Sequence, residues 1–506
     1  MSVSSRLQRI LHGWSANLVQ LLLGITQQVA LIPIFLHFWS SDTLAAWLAL
    51  YAAGNLAYIA DAGLQLRAIN RFLAFKACAD ADGRSARYYA AMLRIYFMLT
   101  ALLIVAALAF AFIFRPSRLF GFASIEHFDL AFAVMTAGVL LGLPSFLTAA
   151  LYRARGVYGA PTWLQVSGMF AGQLAQIAAV VTTGSVLAVA IAYVVPQALA
   201  LGYLVLVDAY RRFPFLRGVR IKPPSWRWIA GQFRRAFPFA VAGGTEIALL
   251  NLPVLLVSVF VSDRVAVAQW GLTRVVAGLL RALCVQSTLP LTAELGHDHA
   301  IGAREALQRL YSRASALVTV LAAAVVSGLL AFWPDFFALW THGAIPYDPV
   351  LTMTLLIGAG AAAPSILALG FANYSNRGDL LVRSKGLQLV VFLVLALALT
   401  GSMGPLGAAI AIVASDLLVQ FGLLTVVIIR QTLARPVRHI VFLAAVFVAV
   451  VLAGWALGSV IRSLVPGSGL LRFVVECGLW LAVAALAASP LLSRNMRVRL
   501  SEVVPR

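Results

Sequence analysis

The chain alternates long apolar runs with short polar breaks. A helix needs about 20 largely apolar residues to cross a bilayer. Fourteen stretches approach or exceed that length, at 14–37, 44–66, 89–114, 129–151, 162–182, 186–207, 236–261, 265–292, 310–333, 349–372, 384–401, 405–429, 439–461 and 470–489. The pattern predicts an all-α polytopic membrane protein of about 14 transmembrane helices. The run at 384–401 is short, and Gly401–Pro405 is the break that divides it from the next. The first run holds Asn17, Gln20, Gln27 and Gln28 and shows no small-residue cleavage site, which reads as an uncleaved span and not a signal peptide.

Composition removes the soluble alternatives. Hydrophobic residues make up 62% of the 506 residues and charged residues only 11%, against about 25% charged in soluble proteins. Disorder, a disulfide scaffold and a large extramembrane catalytic domain are all excluded. Cys78, Cys284 and Cys477 are scattered and form no Cys-x-x-Cys, so no zinc site or disulfide framework follows.

The net charge of +20 invites a nucleic-acid reading, and its distribution answers it. With the N-terminus in the cytoplasm, 31 of the 38 Lys and Arg residues fall in inside segments and 5 in outside segments. The other two, Arg274 and Arg281, lie within a span. This is the positive-inside asymmetry, with both termini cytoplasmic, and it adds attraction to anionic lipid headgroups. No nucleic-acid partner is needed.

The longest polar stretch, Arg211 to Arg235, follows the sixth run and reads as a basic cytoplasmic linker at 211–235. It divides an N-terminal six-helix lobe at 1–210 from a C-terminal six-helix lobe at 236–430. Residues 431–506 add two further helices and a tail. Pro33, Ser41-Asp42 and Trp47 in the first half are matched by Pro253, Ser262-Asp263 and Trp270 in the second, at offsets of 220 to 223. Two parallel halves with a substrate path between them is a common transporter plan. Every outside loop is short, which argues against an oligosaccharide polymerase or ligase.

Several chemistries lack their residues. The three lysines, Lys76, Lys222 and Lys385, are not preceded by glycine, so there is no Walker A loop. His297-x-His299 and Asp80-Ala-Asp82 read as solvated loop residues, not metal ligands. No cofactor is expected.

Ionisable residues inside spans are functional candidates. Arg274 and Arg281, seven apart, share one helix face about 10.5 Å apart, and Trp270 extends the stripe. Two readings stand: a cationic cavity for a phosphate or pyrophosphate, which guanidinium groups fork onto, or ion pairing with Glu246 or Asp61. Glu246 follows Gly243-Gly244-Thr245 and precedes Asn251 and Pro253. It would either couple a proton or sodium ion or neutralise Arg274. Asp61 would do the same or pack against Arg67 or Arg71. Asp416 and Glu476 are weaker cases. The spacing of Asn17, Gln20, Gln27 and Gln28 makes a polar stripe, which together with Asn251, Trp270 and Asp416 suggests a hydrated central cavity.

Pro33-Ile34-Phe35-Leu36, Ser41-Asp42, Trp47, Asp61-Ala62-Gly63-Leu64 and Arg71 together resemble the first two spans of Wzx-type polysaccharide flippases of the multidrug/oligosaccharidyl-lipid/polysaccharide (MOP) superfamily. The resemblance covers the whole chain in span count and layout. Fourteen spans exceed the twelve of the core fold, and lipid II flippases of that superfamily also carry two extra C-terminal spans. The resemblance implies alternating access by two lobes in a bacterial inner membrane. An undecaprenyl-pyrophosphate-linked oligosaccharide would be flipped to the outer leaflet during O-antigen or exopolysaccharide biosynthesis. Arg274 and Arg281 would hold the pyrophosphate, and Glu246 and Asp61 would carry a coupling proton or sodium ion. Polysaccharide polymerase and chain-length proteins would be partners, and no covalent chemistry is involved. A multidrug antiporter of the same superfamily is the rival, and it would want an acidic cavity. An assembly scaffold is a third reading.

Overall fold

The computed structural model describes residues 19–503 except 21, 62, 78–79, 81–82, 158, 220–221, 376 and 468; the side chains at 28, 77, 289, 290, 293, 297, 300 and 487–503 are also left aside. The described chain forms fourteen helical rods and no strand. They are α1 (26–38), α2 (Ser41–Lys76), α3 (Arg84–Phe114), α4 (Phe128–Ala154), α5 (Gly159–Thr183), α6 (Val186–Arg212) and α7 (Trp226–Phe260). Then come α8 (Arg264–Ala300), α9 (Arg304–Trp340), α10 (349–374), α11 (Gly378–Met403), α12 (Pro405–Thr432), α13 (Pro436–Leu464) and α14 (Leu470–Val503). Ten are long and apolar enough to cross a membrane, and the bent α10 makes an eleventh. The all-α, multi-pass expectation is met, and each predicted run has its rod.

The breaks follow local chemistry. Proline opens α10, α12 and α13, where its missing N–H costs nothing. Gly404, at φ +59°, makes the turn between α11 and α12. Inside α10, Pro364 begins a second segment bent by 43° from the first. Ser40 caps α2 by accepting the Thr43 N–H, and Ser225 caps α7 by accepting the Trp228 N–H. The expected linker is therefore helical from Trp226 onward. The expected loop around Asp298 and His299 is also helix, because α8 runs on to Ala300 before turning at Gly302. His299 packs edge-on against Phe371. Among the described residues no group of His, Cys, Asp or Glu is placed to hold a metal.

The described chain divides into two compact units, Met1–Val275 with Gly378–Ile412, and Val276–Arg377 with Val413–Arg506. In the first unit, α2, α3, α4 and α6 enclose Phe72, Tyr89, Met92, Tyr96, Leu147 and Tyr152, all buried. Gly63 is the tight point. It sits at φ +69°, and a Cβ there would lie 2.5 Å from the Ala240 backbone nitrogen. Only glycine allows α2 to break and α7 to approach at that place. In the second unit α13 closes onto α9 through Gly454 against Ser327 and Gly458 against Ala331, the small-residue contact by which membrane helices pack closely.

Candidate functional site

Within the first unit, Glu246 on α7 faces α11. Lys385, fully buried on α11, donates to Glu246 Oε1 and to Gln388 Oε1, the latter at 3.1 Å. The Thr245 hydroxyl donates to the Lys385 carbonyl at 3.3 Å, tying the two helices beside the pair. The Glu246 side chain keeps 30% of its surface exposed while Lys385 keeps 1%. The ion partner observed for Glu246 is thus Lys385, which the charge count assigns to a cytoplasmic loop. The apolar run begins only at 384, whereas the helix starts at Gly378 and carries Lys385 two turns into the rod.

Asp61 ends a short 3₁₀ turn, Ala57–Asp61, in the middle of α2. One carboxylate oxygen accepts the Gln65 N–H at 3.2 Å, capping the helix that follows, and the other accepts the Tyr96 hydroxyl at 2.6 Å. Arg67 instead donates to Gln232 Oε1 on α7 at 3.0 Å. The motif Asp61-x-Gly63-Leu64 is therefore a helix break held by a cap, a hydroxyl and a glycine.

The polar stripe of the first span is partly outside the described residues, since Asn17 precedes them. Gln20 is half-buried. Gln27 is buried and exchanges hydrogen bonds with Gln176 on α5 at 3.0 and 3.3 Å, while Gln173 donates to the Leu23 carbonyl at 2.7 Å. Gln173 and Gln176 lie three apart on one face of an apolar run, the signal that would have paired them with the first span. Asn251 is buried and donates to the Ile247 carbonyl at 2.9 Å.

The arginine helix is α8. Trp270 is fully buried and its indole N–H has no partner among the described residues. Arg274 is half-buried, with the Tyr51 hydroxyl as an electrostatic neighbour. Among the described residues it has no ion pair. Arg281, in the second unit, reaches Asp416 at 3.7 Å; its side chain is 30% exposed and that of Asp416 is 11% exposed.

Asp416 begins a π-helical stretch, Asp416–Thr425, that also carries the buried amide of Gln420, whose nitrogen has no partner among the described residues. Two more π-helical stretches hold Gln27 (Thr26–Ala30) and Asp208 (Leu204–Asp208). Asp208 accepts the Tyr152 hydroxyl at 2.5 Å and pairs with Arg212 at 2.8 Å. Such widened turns are frequent at functional sites, and each here places a buried polar side chain. Glu476, on α14, is paired with Arg472 at 2.7 Å.

Outside the spans, Asp80 is a structural carboxylate. It accepts the Ser85 N–H at 2.9 Å and Arg155 Nη2 at 2.7 Å. Burial pushes its pKa up, but the hydrogen bonds from Ser85 and the Arg155 charge outweigh it and leave it below the usual aspartate value. Asp82 lies outside the described residues.

No protein-family model and no curated protein matches this sequence. Solved structures do. A structure of the lipid II flippase MurJ in an inward closed conformation superposes with a TM-score of 0.72 at 11% identity, over 95% of this chain and 99% of that one. An inward-facing multidrug resistance MATE family transporter of the MOP superfamily gives 0.62 at 15% identity, over 85% and 99%. A mutant form of the Vibrio cholerae MATE transporter VcmN gives 0.53 at 14% identity, over 83% and 95%. The likeness is one of fold: this chain shares the architecture of the lipid II flippase and the MATE transporters.

Proposed function

We propose that this protein flips a lipid-linked oligosaccharide, carried on undecaprenyl pyrophosphate, from the cytoplasmic to the outer leaflet of a bacterial inner membrane by alternating access. The observation that carries the proposal is Arg274. It is a permanent cation within a rod whose run is apolar, and no described carboxylate pairs with it. An uncompensated guanidinium inside a membrane protein calls for water or an anion. A pyrophosphate matches its forked donors. Arg281, whose side chain keeps 30% of its surface exposed beside Asp416 at 3.7 Å, is the proposed second anion-binding group.

In this reading the lobes are 1–210 and 236–430, with the basic segment 211–235 joining them and both termini in the cytoplasm. The helices of 431–506 accompany the lipid tail. Two features favour a flippase over a multidrug antiporter. The fold likeness to the lipid II flippase covers 95% of this chain, against 85% for the MATE transporter. The intramembrane charge at α8 is cationic, which suits an anionic headgroup. Glu246, paired with Lys385, is the proposed ion-coupling carboxylate, because protonating it would release a buried ammonium and disturb the α7–α11 contact. Asp61 is the second coupling candidate, although its cap and Tyr96 contacts occupy both its oxygens. Gln20, Gln27, Asn251, Trp270, Asp416 and the undescribed Asn17 remain proposed cavity residues. Polysaccharide polymerase and chain-length proteins are the proposed partners, in O-antigen or exopolysaccharide assembly.

The test is reconstitution of the purified protein with a fluorescent undecaprenyl-pyrophosphate oligosaccharide, followed by an outside quencher. Protein-dependent transbilayer exchange supports the reading. Absence of exchange under proton and sodium gradients, together with cation efflux from the same vesicles, would replace it with the antiporter.

A further inference from the structure

The first unit holds a cavity of about 450 Å³ that none of the transport residues above lines. Its cations come from three places: Arg71 near the end of α2, Arg84 and Arg87 on the first turns of α3, and Lys222 in the segment before α7. Tyr88 and Trp228 supply aromatic wall, with their rings edge-on at 6.2 Å. No carboxylate is among the described lining residues.

Basic residues at this face are expected from topology alone, and most of them face solvent. Two atoms here do not fit that explanation. The Tyr88 hydroxyl belongs to a residue 7% exposed and has no hydrogen-bond partner among the described residues. The Arg71 Nε is likewise buried and without a partner, with its guanidinium over the Phe75 ring at 5.5 Å. Buried polar groups in folded proteins are ordinarily satisfied. Two unsatisfied donors beside a concave site with four like charges mark a place that an anion completes.

We infer that this cavity binds the phosphate of an anionic headgroup or of a soluble phosphate ester, at the face that the charge distribution assigns to the cytoplasm. Arginine forks and a lysine point charge match phosphate oxygens. Tyr88 adds a neutral donor, and the Trp228 and Tyr88 rings suit the amphipathic headgroup level. The site does not depend on flipping and needs no residue of the α8 stripe.

The experiment titrates the full-length, delipidated protein with two probes: inorganic pyrophosphate, followed by calorimetry, and phosphatidylglycerol, followed by native mass spectrometry against phosphatidylcholine. Arg84→Gln with Arg87→Gln is compared with Arg304→Gln with Arg309→Gln, which removes the same charge from a helix start outside the cavity. The expected result is about a tenfold or greater loss of affinity in the cavity variant for at least one probe, with the control within about twofold of wild type. Loss for phosphatidylglycerol alone names a lipid as the source; loss for pyrophosphate alone names a soluble phosphate. Tyr88→Phe, which leaves the charge unchanged, is expected to weaken the same probe about fivefold. Equal binding by the cavity variant and the control for both probes would overturn the inference.

Discussion

Glu246–Lys385 and Arg281–Asp416 each place opposite charges on rods whose sequence is mostly apolar, yet they are built differently. In the first, the ammonium is fully buried, also bound to Gln388, and braced by the Thr245 contact. In the second, the closest approach is 3.7 Å, the guanidinium keeps 30% of its surface, and the acid sits at the start of a π-helical stretch. A fully buried, hydrogen-bonded ammonium ties its helices, because removing the carboxylate strands it. At 3.7 Å the second is a charge contact and not a hydrogen bond, although Asp416 is itself buried. The first pair therefore reads as a structural link that protonation would break. The second reads as a longer charge contact, and Arg274 has no described carboxylate partner.

The largest effect should come from the tight pair. Glu246→Leu alone is expected to destabilise the protein by about 3–5 kcal/mol, because it leaves the fully buried Lys385 ammonium without its carboxylate. Adding Lys385→Met should recover most of that loss. Thermal unfolding of both variants in detergent is the check, and a Glu246→Leu protein as stable as wild type would show that the pair does not link α7 to α11. Gly63→Ala tests the helix break in α2. Strain at φ +69° and the approach to the Ala240 backbone should cost about 1–3 kcal/mol in the same assay.

Asp61→Asn should cost about 1–2 kcal/mol, since the amide loses the charged acceptor of the Tyr96 hydroxyl and weakens the cap on Gln65. Arg281→Gln is expected to cost less than Glu246→Leu, because the contact it removes is 3.7 Å long and the guanidinium is 30% exposed, and an equal loss would move it into the structural class.

The smallest effect belongs to Asp80, outside the spans. Its pKa is depressed in the folded state, so its contribution is present above the unfolded value of about 3.9. That contribution is lost as pH falls through the lower folded value. Asp80→Asn should therefore flatten the acid limb of the stability profile below about pH 4 and leave the shape of the profile near neutral pH almost unchanged.

Much of this was legible in the chain. Apolar runs long enough to span a bilayer marked each rod, and proline and glycine marked turns such as Gly404–Pro405. Of the paired motifs, Ser41-Asp42 and Ser262-Asp263 lie at helix starts, whereas Pro33 and Pro253 lie inside α1 and α7. Ser40 caps α2, Asp263 accepts the Val265 N–H at the start of α8, and Trp47 and Trp270 are both buried. The ionisable residues were visible one by one, but their partners were not. Glu246 and Lys385 are 139 positions apart, and Asp61 and Tyr96 are 35 apart. Such pairs are set by which helices pack together, and hydropathy does not encode that. Lys385 was hidden for a further reason: a lysine at the edge of an apolar run looks like a loop residue until the helix is seen to begin a turn or two earlier. The π-helical stretches have no composition signature at all.

The central claim is that the α8 cations Arg274 and Arg281 hold an anionic headgroup while the Glu246–Lys385 pair does not. It is tested most directly by the rate of transbilayer exchange of the lipid-linked oligosaccharide in proteoliposomes containing Arg274→Gln, measured on protein whose melting temperature matches wild type. The account predicts a loss of exchange of about tenfold or more, with Arg281→Gln in the same direction. Exchange at the wild-type rate in Arg274→Gln would contradict it.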